Sequence, residues 1–398
     1  MASLTLLMCG GCGLAEVRDM WRRMYALGAA LNTANWGLYF SFSRRYLSVD
    51  LGGGTQSVLL ITGLEWVFTL FAIASGKLVQ VLGGRYVVFL GVTGFIPFIA
   101  ALGIHNPMTL AVVLSFASFS WAISWPSILS AVFSGGISPG KAYSYFTLGS
   151  GLGYSFGSLA MGPIYSALRA EGVFTTMAVI YLLTYLIFFI QYPTKGPSRH
   201  GLRDVSESPN AILKLIPVLT AFSFIVFARE LLYSIAPLKL TYEIREVFTP
   251  TSELVEYTLF GTVFGGITAL LSVPARVLAG KLSDRYNPAK ILFAISIAYL
   301  ITYWLFVTTE GLIPIIVWQL PLYPFLDVSI NTYIARYVPR HAVTLGFGTV
   351  LTFSAIGGLL LLPILANPEI TTEFIGSLVT SAVIVSIALI APKLRVKG

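Results

Sequence analysis

Several stretches of this chain place ionisable or hydrogen-bonding side chains where the flanking residues are almost all apolar, and charge in such surroundings is costly enough to mark function. Asn32, Asn35, Trp36 and Tyr39 recur at i, i+3, i+4 and i+7, one stripe of a helix. Gln319, Tyr323, Asp327 and Asn331 follow one another at four-residue steps, a slowly drifting face. Trp121 pairs with Trp125, and Arg229 with Tyr233, at the same spacing. A guanidinium stays charged when buried and grips carboxylate or phosphate through two parallel bonds. Arg229 therefore points to an anionic or polyhydroxylated solute, or to an ion pair with Glu65 or Asp327 across a cavity. Glu230 lies ~100° further round the same helix, which directs it into a helix interface. Glu65, Glu230 and Asp327 are carboxylates in apolar surroundings and are candidates for taking up and releasing protons. Arg276 reads as a structural partner of Asp284.

The elements that must position these residues follow from composition. Of 398 residues, 56% are hydrophobic and 11% charged, with a mean hydropathy of +0.82. A soluble domain carries about 25% charged residues, so a water-facing surface is excluded and a lipid solvent is required. A helix needs ~20 mostly apolar residues to cross the hydrocarbon core. Twelve runs fit, at 25–47, 57–76, 86–104, 108–133, 142–168, 173–192, 212–238, 254–279, 289–307, 312–335, 344–365 and 374–391. The alternating ten-residue segments of a membrane barrel do not occur. The net charge of +8 is spread in ones and twos rather than gathered on one face, which argues for topology and against a nucleic-acid partner. Most lysines and arginines fall in segments on the side of both termini, so both termini are expected in the cytoplasm of a plasma-membrane protein. Arg44, Arg45, Arg169, Lys239 and Arg245 fall on the opposite side.

The division of the chain is equally legible. Residues 1–20 form an apolar leader whose Cys9 and Cys12 are too few for a zinc site, so neither metal nor cofactor is expected. Residues 193–211, rich in Gly, Pro, Ser and charge, read as a cytoplasmic linker between 21–192 and 212–398. Gly76-Lys77-Leu78 reappears as Gly280-Lys281-Leu282, Trp125-Pro126 as Tyr323-Pro324, and Leu38-Tyr39 as Leu232-Tyr233, each offset by about half the chain. The words Gly280-Lys281-Leu282-Ser283-Asp284-Arg285 are close to a signature of the major facilitator superfamily, which the whole chain resembles. The first copy, Gly76 to Arg85, has Gln80 where the acid belongs.

That resemblance implies an all-α polytopic membrane protein, with twelve transmembrane helices in two pseudo-symmetric six-helix bundles. It implies that the first, fourth, seventh and tenth helices line a central cavity. Gly76, Arg85, Gly280, Asp284 and Arg285 would then form a conformational latch. The expected function is secondary, proton-coupled transport of a small organic solute by a monomer in the lipid bilayer. Efflux of hydrophobic compounds gripped by Trp36, Trp121 and Trp125 is the alternative. A sensor or enzyme on a transporter scaffold is the rival from another class, but the loops are too short for a catalytic domain. Gly135 to Lys141 imitates a phosphate loop without the following Ser or Thr. Gly153-Tyr154-Ser155-Phe156-Gly157 imitates a hydrolase elbow without a histidine base, and reads instead, with Gly149 and Gly162, as a packing face.

Overall fold

The computed structural model describes residues 13–133, 139–192, 215–338, 343–367 and 370–395, and the regular elements among them are all helical. The first twelve residues of the leader, the linker 193–211 and part of the phosphate-loop look-alike lie outside the described residues. Helix α1 (Gly13–Arg45) runs into a π-turn at Tyr46–Asp50. Helices α2 (Gly54–Thr69) and α3 (Ala72–Leu82) follow, and Gly83, at φ 86°, turns the chain into α4 (Gly84–Leu90). The path continues through a 3-10 segment at Gly91–Phe95 into α5 (Ile96–Ala100), then α6 (Pro107–Phe133) and α7 (Pro139–Gln191). Next come α8 (Ile216–Phe248), α9 (Glu253–Gly261), a π-segment at Thr262–Gly266 and α10 (Ile267–Arg285). The last are α11 (Pro288–Thr308), α12 (Leu312–Trp318), α13 (Leu322–Tyr337), α14 (Val343–Leu359) and α15 (Thr372–Ile390).

Helix starts obey local chemistry. The Ser252 hydroxyl accepts from the Val255 amide, Thr371 from Phe374, and Asn287 from Ala289 just before Pro288. Eight helical stretches among the described residues are long and apolar enough to cross a membrane. The runs expected at 57–76 and 86–104 are each assembled from shorter helical pieces, and those at 142–168 and 173–192 are merged in α7.

Helix α7 is two arms joined at Arg169, whose φ of 58° and ψ of −171° break the helical path. The register of α1 shows that the arms reverse. Gly149, Gly153 and Gly157 sit against the carbonyls of Ala26, Ala30 and Ala34, so α1 and the first arm ascend together. Gly28 instead meets Phe188, and Phe42 packs on Phe174 at 5.5 Å between ring centroids, so the second arm runs antiparallel. Without water, close contact between backbones is what holds helices together, and glycine every fourth residue permits it. The same arm continues the seam toward the C-terminal part of the chain. Gly162 abuts Thr258, Gly261 abuts the Ser158 carbonyl, and the Ser155 hydroxyl donates to Gly266 O at 2.8 Å. The elbow look-alike is thus a packing face. On the other side, Gly63 meets Leu362 and Gly358 meets Trp66, bringing α14 and the segment after it onto α2.

Gly157→Ala should lower stability by about 1–3 kcal/mol, because its methyl would overlap the Ala34 carbonyl. Gly280→Ala, where an added Cβ meets nothing within 4 Å, should be neutral or stabilising by up to about 1 kcal/mol. Thermal unfolding of the two purified variants in one detergent checks the contrast.

Candidate functional site

Near the middle of the molecule, α1 and α2 hold a buried charged group. Glu65 accepts the Tyr39 hydroxyl at 2.6 Å on Oε1 and pairs through Oε2 with the Arg44 guanidinium, which also lies 4.2 Å from the Phe40 ring centre. Tyr39, Arg44 and Glu65 are all buried. Arg44 and Arg45, expected to mark the outer surface, lie inside because each has a carboxylate to meet: Glu65 for Arg44 and Glu256 for Arg45. A paired charge can remain buried where a lone one cannot.

A second charged group is built by α8, α10 and α13. Arg229 pairs with Glu230, its Nε donating to Oε1 at 3.0 Å. Glu230 was expected to turn away into an interface. The guanidinium is long enough to fold along the helix surface and reach its neighbour's carboxylate, which corrects that expectation. Arg276 donates to Asp327 Oδ2 at 3.2 Å, and Asn331 Nδ2 donates to Asp327 Oδ1 at 3.0 Å. The expected partnerships of Arg229 with Glu65 or Asp327, and of Arg276 with Asp284, are therefore replaced. Tyr323 lies between the two guanidinium groups, 5.3 Å from Arg229 and 5.8 Å from Arg276, measured to its ring centre. It nevertheless remains 42% exposed, as a wall of an accessible space does.

Tyr154, on the first arm of α7, packs beside the first group, stacking on Phe40 at 6.3 Å between ring centroids. Sequence reading passed over Tyr154 because it sits inside the Gly153–Gly157 motif, where attention fell on the glycines. It passed over Arg44 because charges near a run's end were assigned to topology. Two adjacent arginines inside the 25–47 run were the available signal.

The aromatic and amide candidates divide. Trp121 and Trp125 stack at 5.7 Å and are half-buried, and Trp125 contacts Phe146 at 5.4 Å. Trp36 is buried against Tyr39, Trp121 and Tyr181. Asn35 shares a seven-residue register with Gly28 and Phe42, which both meet the second arm of α7, so it faces that arm rather than a cavity. Asn32 is buried as well. A four-residue stripe covers a wide arc, and here the arc is shared between the centre and a helix interface. Tyr233 rests on Trp318 at 4.9 Å. Gln319 is committed to structure: Nε2 donates to Val263 O at 2.9 Å, and Oε1 accepts from Thr268 at 2.9 Å. With Trp318, which donates to Phe264 O at 2.8 Å, it satisfies carbonyls that the π-segment takes out of the regular helical ladder.

The ends of the molecule differ. Arg45 donates to Glu256 at 2.5 Å and lies 3.5 Å from the Tyr257 ring centre. Arg245 joins the same carboxylate at 2.9 Å, and Arg169 pairs with Glu253. Among the described residues, the ion pairs joining the chain before residue 193 to the chain after 214 are Arg45–Glu256 and Arg169–Glu253, both at this end. At the other end, Arg85 lies over Phe189, and Asp284 and Arg285 are exposed. Arg336 donates to the Ser283 and Asp284 carbonyls at 2.6 and 3.0 Å, closing the end of α10. Gly280 has open space beside it, so the close approach expected of that glycine is not made, and the side-chain position of Gly76 lies outside the described residues.

Paired charges thus gather around the exposed phenol of Tyr323 in a chain whose helices are long and apolar enough to cross a membrane. The family model described as Major Facilitator Superfamily matches residues 25–362, and the chain belongs to that family. Solved structures with the same fold include the nucleoside transporter NupG, 14% identical, with a TM-score of 0.70 over 95% of this chain and 100% of that one. A POT family transporter in complex with 5-aminolevulinic acid is 12% identical, with a TM-score of 0.71 over 94% of this chain and 96% of that one. A comparison with curated proteins finds no match.

Two predictions follow from the geometry. Replacing Glu65 alone by Met should cost about 3–5 kcal/mol by leaving Arg44 unpaired, whereas replacing both by Met should cost much less. A double-mutant cycle of unfolding midpoints measures the difference. Asp50, exposed at the ion-paired end, is raised above the ordinary carboxylate value because partial loss of water outweighs the pull of Arg45. A raised acid binds its proton more tightly in this arrangement. The ion-paired arrangement is thus proton-assisted below the ordinary carboxylate value, and the assistance is lost as pH rises through the raised one. Hydrogen exchange of residues 253–261 should show protection falling across that window, and Asp50→Asn should flatten the dependence.

Proposed function

We propose that this protein is a secondary active transporter of a small organic solute, built of twelve spans in bundles 21–192 and 212–398 joined by the linker 193–211. The observation that carries the reading is the exposed Tyr323 ring set between the paired arginines Arg229 and Arg276 in a chain of membrane-crossing helices. Arg229, Tyr233, Tyr323, Asp327 and Asn331 form the polar wall of the binding site, and Trp121 and Trp125 the aromatic one. Glu65, Glu230 and Asp327 are the groups through which protons would couple, since each holds an arginine that a substrate or proton can release. A nucleoside transporter and a transporter that binds 5-aminolevulinic acid share the fold, which favours a small polar solute over a purely apolar one.

Alternating access follows from the ends. With both termini in the cytoplasm of the plasma membrane, the ion-paired end bearing Arg45 and Glu256 faces outward and the opposite mouth faces the cell. Rocking at the contacts of Gly162 with Thr258 and of Gly261 with Ser158 would break Arg45–Glu256 and Arg169–Glu253 and close the cytoplasmic mouth, where Gly76, Arg85, Gly280, Asp284 and Arg285 would then act as the latch. A monomer suffices for this cycle.

Uptake of labelled nucleosides and dipeptides into proteoliposomes under an imposed proton gradient tests the proposal. Arg229→Ala and Asp327→Asn should each reduce uptake by about tenfold or more, equivalent to losing about 1.4 kcal/mol of substrate interaction. Lys290→Ala, at an exposed site on α11, should leave it unchanged. Uptake indifferent to both central substitutions would remove the site assignment.

A further inference from the structure

The ionised side chains at the centre cancel one another. Arg44, Arg229 and Arg276 are each paired, with Glu65, Glu230 and Asp327 respectively. The phenols beside the pairs, Tyr39 at Arg44 and Glu65 and Tyr323 at Arg229 and Arg276, are neutral at physiological pH. We infer that the solute taken by this site carries no net charge, being a neutral polar molecule or a zwitterion, and that Glu230 sets the preference by neutralising Arg229. This rests on the transporter reading and names its substrate class.

The geometry of the Arg229–Glu230 pair carries the argument. Both hydrogen bonds of the pair converge on one carboxylate oxygen: Nε and Nη2 of Arg229 both donate to Oε1 of Glu230. Nη1 of the guanidinium and Oε2 of the carboxylate take no part in the pair and remain a donor and an acceptor for a ligand, with the guanidinium carbon 5.3 Å from the Tyr323 ring centre. A hydroxyl, an amide or the two ends of a zwitterion can engage both edges and leave the charge balance untouched. An anion would have to take Arg229 from Glu230 and strand that buried carboxylate beside the anion itself. A like charge left unpaired in a site of low dielectric is strongly disfavoured. A cation meets the mirror-image difficulty, since Glu230 and Asp327 are already held by arginines.

Charge-matched probes against the purified full-length chain test this. Uridine is compared with uridine 5′-monophosphate, and alanyl-alanine with its N-acetyl (anionic) and amide (cationic) forms, by equilibrium binding at pH 7. Wherever a scaffold binds, its net-neutral member should bind at least about tenfold tighter than its charged counterparts. Glu230→Gln, which leaves Arg229 without a counter-charge, should reverse the order, with the anionic member gaining about tenfold. Asp327→Asn, which removes a negative charge beside Tyr323 and Arg276, should shift preference in the same sense and serves if the first variant does not fold. Wild-type protein that binds the anions as tightly as the neutral members would overturn the inference while leaving transport standing. So would a preference unchanged by both substitutions. A protein that binds no member of either series would instead strike the transporter reading, and this inference with it.

Discussion

A charge buried in an apolar interior must be compensated where it stands, and this requirement organises the centre of the protein. Arg44, Arg229 and Arg276 would each be untenable alone among so many hydrophobic residues. Each is instead tied to a carboxylate supplied by the same or an adjacent helix, and the pairs decide which helix faces turn inward. The Arg44–Glu65 pair fixes α1 against α2, and the Arg276–Asp327 pair fixes α10 against α13. The Arg229–Glu230 pair ties no two helices together, being made by neighbours on one. A solute that contacts it would disturb no helix packing, which suits it to substrate contact.

The packing around this centre shows how such a structure could move without coming apart. The seam of Gly149, Gly153 and Gly157 against Ala26, Ala30 and Ala34 lies within the N-terminal part of the chain and contains backbone contacts that a rigid unit needs. The contacts between the two parts are of another kind: Gly162 on Thr258, Gly261 on Ser158, Gly358 on Trp66, and ion pairs confined to one end. Smooth small-residue surfaces let helices tilt past each other, while charges at a rim can be made and broken by water or protons. Because Arg45 is buried, a tilt that separates it from Glu256 must admit water to both charges as they part.

The helical, membrane-embedded nature of the chain was legible because composition leaves no other solvent for it. The glycine seam was legible too, since spacing of four maps directly onto one helix face. The charged site was legible only in part. Arg229, Tyr323, Asp327 and Asn331 stood out because charge and polarity inside apolar runs are rare. Their partners were not found, because pairing depends on how far a long side chain can bend and which helix stands opposite, and neither is written in spacing. Arg229 and Glu230 were separated by helix geometry at the backbone and reunited by four rotatable side-chain bonds. Asn35 and Gln319 were drawn into the site by periodicity, yet one faces a neighbouring helix and the other repairs a π-segment.

The correction of Gln319 carries a further lesson about how the centre is held. The Thr262–Gly266 π-segment frees the Val263 and Phe264 carbonyls, and Gln319 and Trp318 take them at the break between α12 and α13. Tyr323 and Asp327 stand one and two helical turns beyond that break, so their position depends on these two hydrogen bonds. Tyr233, resting on Trp318, ties the same joint to α8 and hence to Arg229. A displacement of the joint would therefore reach both arginine pairs that flank Tyr323. In this way an irregular backbone segment, satisfied by side chains instead of water, sets the geometry of a charged site that no single helix could build.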